Sequence, residues 1–229
     1  MTHVSVVMAA YNAELYVAEA IESVLGQSVP PSDVIVVDDG STDRTRAIVE
    51  GFSRHVTLVT QDNRGQTAAL NRAIGMARGE LLAFQDADDI WAGHKQALQL
   101  AALEADPDVG AVFGLMQQFI SPDVPPESRP AMQPEADIAP GEIRTCMLIR
   151  RSEFDRIGMF DPAYRGGVSF VEWLGRAKRM GLATRMLDQV IVHRRLHSKN
   201  YGRTNTGERD EETMNALRSI ILQRRKKPR

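Results

Sequence analysis

The chain has 229 residues, a formal net charge of -2, 43% hydrophobic residues and 25% charged residues. This composition is ordinary for a single α/β domain, and the small charge excludes a global field directed at nucleic acid. One cysteine, Cys146, excludes an intramolecular disulfide, and no run of about 18 apolar residues predicts a transmembrane helix. Residues 4–8 are typical of a first strand rather than an export signal, so we predict a cytoplasmic protein.

Strand and helix patterns alternate through the first half of the chain. Short, nearly continuous apolar runs predict buried strands at residues 4–10, 34–37, 56–59 and 81–84. Helical spacing follows each of them, at residues 15–25, 47–52, 67–78 and 94–105. Four such units predict an α/β fold with a Rossmann-like, mostly parallel sheet flanked by helices.

Polar side chains follow each of these strands. They are Tyr11 and Asn12, Asp38 and Asp39, residues 62–64, and the acidic stretch 86–89. Because parallel strands end at one edge of a sheet, where ligands bind, we expect these groups to converge. The acidic stretch alone is compatible with a metal site that holds a diphosphate, and equally with a solvated turn.

The glycines form no phosphate-binding fingerprint. Neither G-x-G-x-x-G after the first strand nor G-x-x-x-x-G-K-[ST] occurs in the sequence. A metal held by carboxylates, Mn²⁺ or Mg²⁺, is therefore the remaining route to phosphate binding.

The second half is less regular. We predict a strand at 109–120, a strand at 143–149 with Cys146 buried in it, and a helix from 150 to about 158. Residues 121–140 hold six of the eleven prolines and show no periodicity, which is usual for a functional or a disordered segment.

The end of the chain adds further predicted elements. A helix is expected at 169–180, and an apolar strand at 186–192 leads into a basic segment containing His193, Arg195 and His197. A last helix is expected at 212–223, before a basic tail at 224–229.

At this point the residues resemble a known family, the family 2 glycosyltransferases with the GT-A fold. The matching text lies at 4–12, 34–43, 63–65, Asn71, 77–80 and 86–89, in order and spacing through roughly residues 3 to 105. The resemblance implies one GT-A domain with a nucleotide-sugar-binding half at 1–106 and a variable acceptor half at 107–202, in which the segment 121–140 would be an acceptor lid or a plain surface excursion. The C-terminal helix and basic tail would occupy 203–229.

The resemblance also implies residues for the donor nucleotide. Ala10 and Tyr11 would line the nucleoside pocket, with Tyr11 near the base. Asp39 would accept a hydrogen bond from the N3–H of a uracil-type base. Arg64 would reach the base or a phosphate, or would remain a solvated arginine of the turn.

The acidic stretch resembles the family's D-x-D motif. Asp88 would bind the metal, and Asp86 would face the ribose or the metal's water shell. Asp89 would lie over the donor sugar or cap the following helix. Downstream, Arg195 would contact the diphosphate, and His197 would be a further metal or diphosphate ligand.

Inverting members usually carry a Glu-Asp pair at the start of the helix predicted at 169–180. Ser169 and Phe170 occupy those positions here. Glu172 lies one helical turn from Ser169, so it is our candidate general base. The alternative is a helix N-terminal glutamate that the helix dipole favours.

The sequence therefore predicts an inverting transferase that moves a sugar from a nucleotide diphosphosugar, a UDP-sugar, to a hydroxyl acceptor. The acceptor could be a saccharide, a lipid-linked glycan, a peptide or a small molecule, and no nucleic-acid partner is expected. The basic tail is a candidate for peripheral contact with the inner membrane face. Two alternatives remain, a nucleotide-sugar-binding protein without catalysis and a nucleotidyltransferase, although residues 9–14 lack the basic loop of the latter.

Overall fold

The structure, a computed structural model, describes residues 2–134, 136–198 and 200. The predicted helix at 212–223 and the basic tail at 224–229 lie outside these described residues. Within the described ranges, no helix combines the length and the apolar character that crossing a membrane requires.

The first half of the chain forms the parallel part of one sheet. Its strands are β1 (Val4–Ala10), β2 (Asp33–Asp38), β3 (Thr57–Thr60) and β4 (Leu81–Asp86). They lie side by side in the order β3-β2-β1-β4, and α1 (Val17–Leu25), α2 (Thr45–Glu50) and α3 (Gln66–Met76) connect them. Every residue of β1 is buried, which explains its continuous apolar sequence. The predicted fold class is confirmed.

The second half extends the same sheet beyond β4. Its elements are β5 (Ile90–Trp91), α4 (Lys95–Ala105), β6 (Ala111–Ile120), β7 (Ile138–Pro140), β8 (Leu148–Arg150), α5 (Arg151–Ile157), α6 (Gly166–Arg179) and β9 (Thr184–Leu196). The strand order continues β4-β8-β6-β9-β5, and β7 pairs with β6. β8 is antiparallel to both β4 and β6, whereas β6 and β9 are parallel. β4 therefore lies where the parallel half meets the mixed half.

An aromatic cluster joins α6 to the sheet and to α5. The Trp173 ring stacks on Phe154 at a centroid distance of 5.2 Å, and its Nε1 donates to the Gly158 carbonyl at 2.7 Å. Phe160 packs edge-on against Trp173 and against Phe84 of β4. Large buried rings of this kind stabilise the join between the two halves.

The strand predicted at 143–149 is wrong in its first part. Residues Arg144–Cys146 form a 3₁₀ turn, and the strand covers only Leu148–Arg150. The turn carries polar groups toward β4, because the Thr145 hydroxyl donates to Gln85 Oε1 at 3.0 Å. Cys146 is fully buried, as predicted, and burial raises the pKa of its thiol to about 12.

The segment at 121–140 contains regular structure that its sequence did not predict. Pro126–Met132 forms a 3₁₀ helix, and β7 adds to the edge of β6. Arg129 closes the turn by donating to the carbonyls of Val124 and Pro122. Proline suits the start of a helix because its nitrogen needs no acceptor there, so the high proline content did not exclude one.

The helix predicted at 94–105 is confirmed, and the last described strand is longer than predicted. α4 begins at Lys95, with His94 as N-cap and no side-chain cap, so the capping alternative for Asp89 is wrong. The predicted strand at 186–192 begins earlier and continues through the basic segment to Leu196, because β9 pairs along the whole length of β6.

Lys95 is a fully buried lysine at the start of α4. Its Nζ donates to Gln99 Oε1 at 2.8 Å and lies 3.8 Å from the centroid of the Trp91 ring. Burial lowers the pKa of Lys95 from 10.5 to about 7, against a smaller opposing effect of Cys146. Between about pH 7 and pH 10 the unfolded chain therefore binds one proton more than the folded chain, so this group makes stability rise with pH.

We expect Lys95→Met to raise the free energy of unfolding at about pH 6.5, where the lysine is protonated in both states and its burial costs most. The gain should shrink steadily toward about pH 9.5, where the folded protein holds a neutral lysine. Urea unfolding at a series of pH values measures the difference. Lys178→Met is the control, since Lys178 is half exposed and pairs with Glu142. An equal gain at both pH values would contradict the prediction.

Candidate active site

The polar groups predicted to converge lie at the carboxyl ends of three adjacent strands. Ala10 of β1 is in register with Asp38 of β2, and Ala9 is in register with Asp86 of β4. This edge is where parallel α/β sheets bind ligands.

Asp39 anchors the loop that follows β3. Its Oδ1 accepts from Gln61 Nε2 at 2.8 Å and from the main-chain N–H of Arg64 at 2.9 Å, while its own N–H donates to the Ala10 carbonyl. Asp39 is 2% exposed. The contact of Arg64 with Asp39 is made by its backbone. Gln61, which sequence reasoning missed, orients the Asp39 carboxylate.

The Arg64 side chain lines a cavity of about 640 Å³ at this edge of the sheet. The lining residues are Asp38, Gly40, Ser41, Arg46, Thr60, Gln61, Asp62, Arg64 and Arg72. The cavity follows the ends of β2 and β3, beside Asp39.

The loop after β1 presents Tyr11 to solvent. Tyr11 is 50% exposed, whereas Ala10 is buried. Asn12, which has a positive φ of 47°, accepts from the N–H of Thr42 at 2.9 Å, and its own N–H donates to Ser41 Oγ. These bonds tie the loop to the turn after β2 and fix the backbone that carries the exposed Tyr11 ring.

Asp86 ends β4 and pairs with an arginine that sequence reasoning missed. Arg144 Nη2 donates to Asp86 Oδ1 at 2.6 Å, and the Arg144 side chain is only 6% exposed. No local signal marks Arg144, because it sits at the start of an otherwise apolar run. Only the antiparallel pairing of β8 with β4 brings it to the acidic stretch.

Asp88 and His197, the two predicted metal ligands, are brought together by the fold. Asp88 Oδ2 lies 3.0 Å from His197 Nε2 and accepts from Asn200 Nδ2 at 3.1 Å. The His197 ring packs on Tyr16 at a centroid distance of 4.5 Å. Within the described residues, no group of three His, Cys, Asp or Glu side chains is arranged to hold a metal.

Asp89 is buried below the other two carboxylates. Its Oδ1 accepts from the main-chain N–H of Arg195 at 2.9 Å. Desolvation, followed by the charges of Asp88 and Asp86, raises the pKa of Asp89 well above its usual value. This contact ties the acidic stretch to β9.

The Arg195 guanidinium is held by protein groups. Its Nε donates to the Asp88 carbonyl at 3.0 Å, its Nη1 to Ser121 Oγ, and its Nη2 to the carboxylate of Glu19. The guanidinium also lies over the rings of Tyr16 and Phe119. Through these contacts Arg195 fixes the main chain of the acidic stretch at Asp88.

Tyr16 connects Arg195 to the segment at 121–140. Its hydroxyl donates to Asp123 Oδ2 at 2.7 Å, and burial and the Asp123 carboxylate raise the pKa of Tyr16 to about 12. Tyr16, Glu19 and Ser121 carry no motif, so sequence reasoning did not identify them.

Glu172 lies on the part of α6 that faces the end of α5. It is 7% exposed, and its Oε2 lies 3.3 Å from Arg176 Nη2. Arg176 also donates to the carbonyls of Ile157 and Met159 at 2.7 Å. Among the described residues, no direct contact joins Glu172 to Asp86 or Asp88.

Two curated relatives share about two fifths of the sequence positions over part of the chain. The putative teichuronic acid biosynthesis glycosyltransferase TuaG of Bacillus subtilis (strain 168) is 40% identical over 102 residues, 42% of this chain and 40% of that protein. The UDP-Glc:alpha-D-GlcNAc-diphosphoundecaprenol beta-1,3-glucosyltransferase WfgD of Escherichia coli is 38% identical over 102 residues, 44% of this chain and 40% of that protein. The matched region thus spans less than half the length of each relative.

Solved structures match over nearly the whole chain. S. aureus TarS 1-349 in complex with UDP-GlcNAc has a TM-score of 0.74 at 21% identity, covering 96% of this chain and 66% of that one. The mannosyltransferase PcManGT from Pyrobaculum calidifontis, in complex with GDP-Man and Mn²⁺, has a TM-score of 0.69 at 23% identity, covering 100% and 65%. At these identities the likeness establishes the fold, which is the GT-A fold of such transferases.

A family profile settles the relationship that the sequence motifs indicated. The profile described as Glycosyl transferase family 2 matches residues 5–158, which is more than half of the chain. The match includes β1 to β4, the acidic stretch and Arg144. The chain belongs to glycosyl transferase family 2.

Proposed function

We propose that this protein transfers a glycosyl group from a nucleotide diphosphosugar, of the UDP class, to an acceptor hydroxyl. The observation that carries the proposal is the 3.0 Å contact of Asp88 with His197, beside Asp86 at the carboxyl edge of the sheet. WfgD is named for a UDP-Glc donor and TarS was solved with UDP-GlcNAc, which supports a UDP-sugar.

The pair of Asp88 and His197 fits a hard divalent cation, Mn²⁺ or Mg²⁺. Neighbouring ligands of an octahedral ion bound at about 2.1 Å lie about 3 Å apart. The separation of Asp88 Oδ2 and His197 Nε2 is 3.0 Å. Two protein ligands are sufficient where water and phosphate oxygens complete the shell. When bound, the cation would supply charge stabilisation to the diphosphate leaving group.

Asp39 and Tyr11 are proposed to bind the base. One oxygen of Asp39 is occupied by Gln61 and Arg64, which leaves the other to accept the N–H of the base. The half-exposed ring of Tyr11 offers a surface for packing, and the buried Ala10 is proposed to line the nucleoside pocket beside it. Arg64 and the cavity beside it lie next to this position.

Asp86 is proposed to face the ribose, because Arg144 engages only its Oδ1. Asp89 and Arg195 contact protein groups, so for these two residues we propose roles other than those that the resemblance implies. The Asp89 carboxylate accepts from the main-chain N–H of Arg195, and the Arg195 guanidinium donates to the Asp88 carbonyl. We therefore propose that Asp89 and Arg195 position Asp88 and His197 for the donor. A positioning group of this kind keeps the ligands preorganised without touching the substrate.

Glu172 is the proposed general base of an inverting, single-displacement transfer, in which it would take the proton of the attacking hydroxyl. Its burial and its pair with Arg176 favour a second candidate function, a nucleotide-sugar-binding protein without catalysis. The two functions share a donor site and differ only in turnover.

Asp39→Asn should weaken UDP binding by about tenfold or more, because the amide places an N–H donor where the base N–H needs an acceptor. The substitution keeps an oxygen for the Arg64 N–H, so the loop should stay folded. Isothermal titration with UDP, with GDP as competitor, measures the change. Unchanged UDP affinity would remove Asp39 from the base site.

His197→Ala should lower the affinity for Mn²⁺ in the presence of UDP by at least about tenfold, because one of two protein ligands is lost. Its effect on metal-free UDP binding should be small. His193→Ala is the matched control, since the hydrogen bond described for His193 Nδ1 is to Gln117 and not to the acidic stretch. Equal Mn²⁺ affinities of the two variants would contradict the metal site.

Glu172→Gln should lower the rate of transfer by about 10²- to 10⁴-fold while leaving UDP affinity unchanged, because glutamine cannot accept the proton. Turnover is measured as release of UDP from UDP-sugars with a panel of acceptors. Glu142→Gln is the control, as Glu142 is half exposed and pairs with Lys178. Binding of UDP-sugars by the wild type without turnover on any acceptor would favour the binding-protein alternative.

A further inference from the structure

The guanidinium of Arg144 is buried with most of its hydrogen-bonding capacity unused. A guanidinium carries five N–H donors. In the described part of the chain, one acceptor is present, Asp86 Oδ1 at 2.6 Å, and Arg144 Nε is buried without a partner. Leaving buried donors unpaired costs free energy, so this arrangement calls for further oxygen atoms.

Other arginines in the chain are satisfied differently. Arg150 donates its Nε and Nη2 to the carbonyls of Val109 and Leu103. All three nitrogen positions of the Arg195 guanidinium have protein partners. A single buried ion pair contributes little net stability to a protein. The ion pair with Asp86 therefore does not by itself explain why an arginine is buried at position 144.

The position of Arg144 indicates which substrate it faces. It stands on the 3₁₀ turn Arg144–Cys146, and the bonds from Thr145 to Gln85 and from Gln99 to the Cys146 carbonyl fix that turn against β4. In the sheet, β1 and β2 lie on one side of β4, and β8 lies on the other. Asp86 therefore separates Arg144 from the end of the sheet that carries Asp39.

We propose that Arg144 binds an oxyanion of the acceptor, so that the acceptor is a hydroxyl compound carrying a phosphate or carboxylate group. This inference rests on the glycosyl transfer proposed above and specifies its acceptor class. The planar fork of arginine matches both oxyanions, which would satisfy the unpaired N–H groups. Asp86 keeps one side of the guanidinium occupied and thereby orients its remaining donors.

The test uses the full chain saturated with UDP and Mn²⁺ and three small probes that share a glycerol-like body. Glycerol 3-phosphate carries a phosphate, glycerate carries a carboxylate, and glycerol carries neither. By isothermal titration, we expect binding of at least one of the anions and none of glycerol. The anion that binds more tightly shows whether the acceptor carries a phosphate or a carboxylate.

Arg144→Met should weaken anion binding by at least about tenfold and change UDP affinity less than about twofold. The anion affinity of Arg144→Lys should lie between those of the wild type and Arg144→Met, because lysine keeps the positive charge and lacks the planar fork of N–H groups. If Arg144→Met does not fold, Arg144→Lys serves as the test variant. Arg156→Met is the matched control, since Arg156 pairs with Glu153 on α5 away from the acidic stretch.

Three results would overturn the inference. They are binding of neither anion by the wild type, equal anion binding by wild type and Arg144→Met, and an equal loss of UDP and anion binding in the variant. The last result would assign Arg144 to the donor. Failure of UDP to bind any variant would instead reject the proposed function, and the anion titration repeated without UDP would still report on Arg144.

Discussion

Three carboxylates within four residues at the end of β4 repel one another, and the rest of the fold depends on how that repulsion is offset. Asp86 is paired with Arg144, Asp88 with His197 and Asn200, and Asp89 with the main-chain N–H of Arg195. The partners lie 58 to 112 residues further along the chain. The acidic stretch can therefore be buried only when the second half of the chain has folded against it.

This dependence explains the architecture of the second half. β8 must run antiparallel beside β4 to deliver Arg144, and β9 must follow β6 as far as Leu196 to deliver Arg195 and His197. Tyr16 and Glu19 add support from the first half through Asp123 and Arg195. The site thus lies at the junction of both halves, with β1 and β2 on one side of Asp86 and Arg144 on the other.

The division of labour within the site follows from burial. Asp89 and Arg195 are enclosed and bind protein groups, which fits the positioning role proposed for them. Asp86 and Asp88 keep side-chain exposures of 25% and 30%, and they remain open to a ligand. Under the proposed function, the two more exposed carboxylates would meet the donor and the enclosed Asp89 would support them.

The sequence by itself determined the order of the first four strands and helices, because local hydrophobic periodicity is strong in strands that are buried on both faces. Together with the family resemblance it predicted Asp39, Asp88 and His197 as candidate site residues, and the fold brings Asp88 and His197 together. Only the tertiary structure decided that Arg144 meets Asp86 and that Arg195 is enclosed by Glu19 and Ser121. Those partners depend on strand pairings between distant segments, and long-range pairings leave no periodic signal in a single sequence.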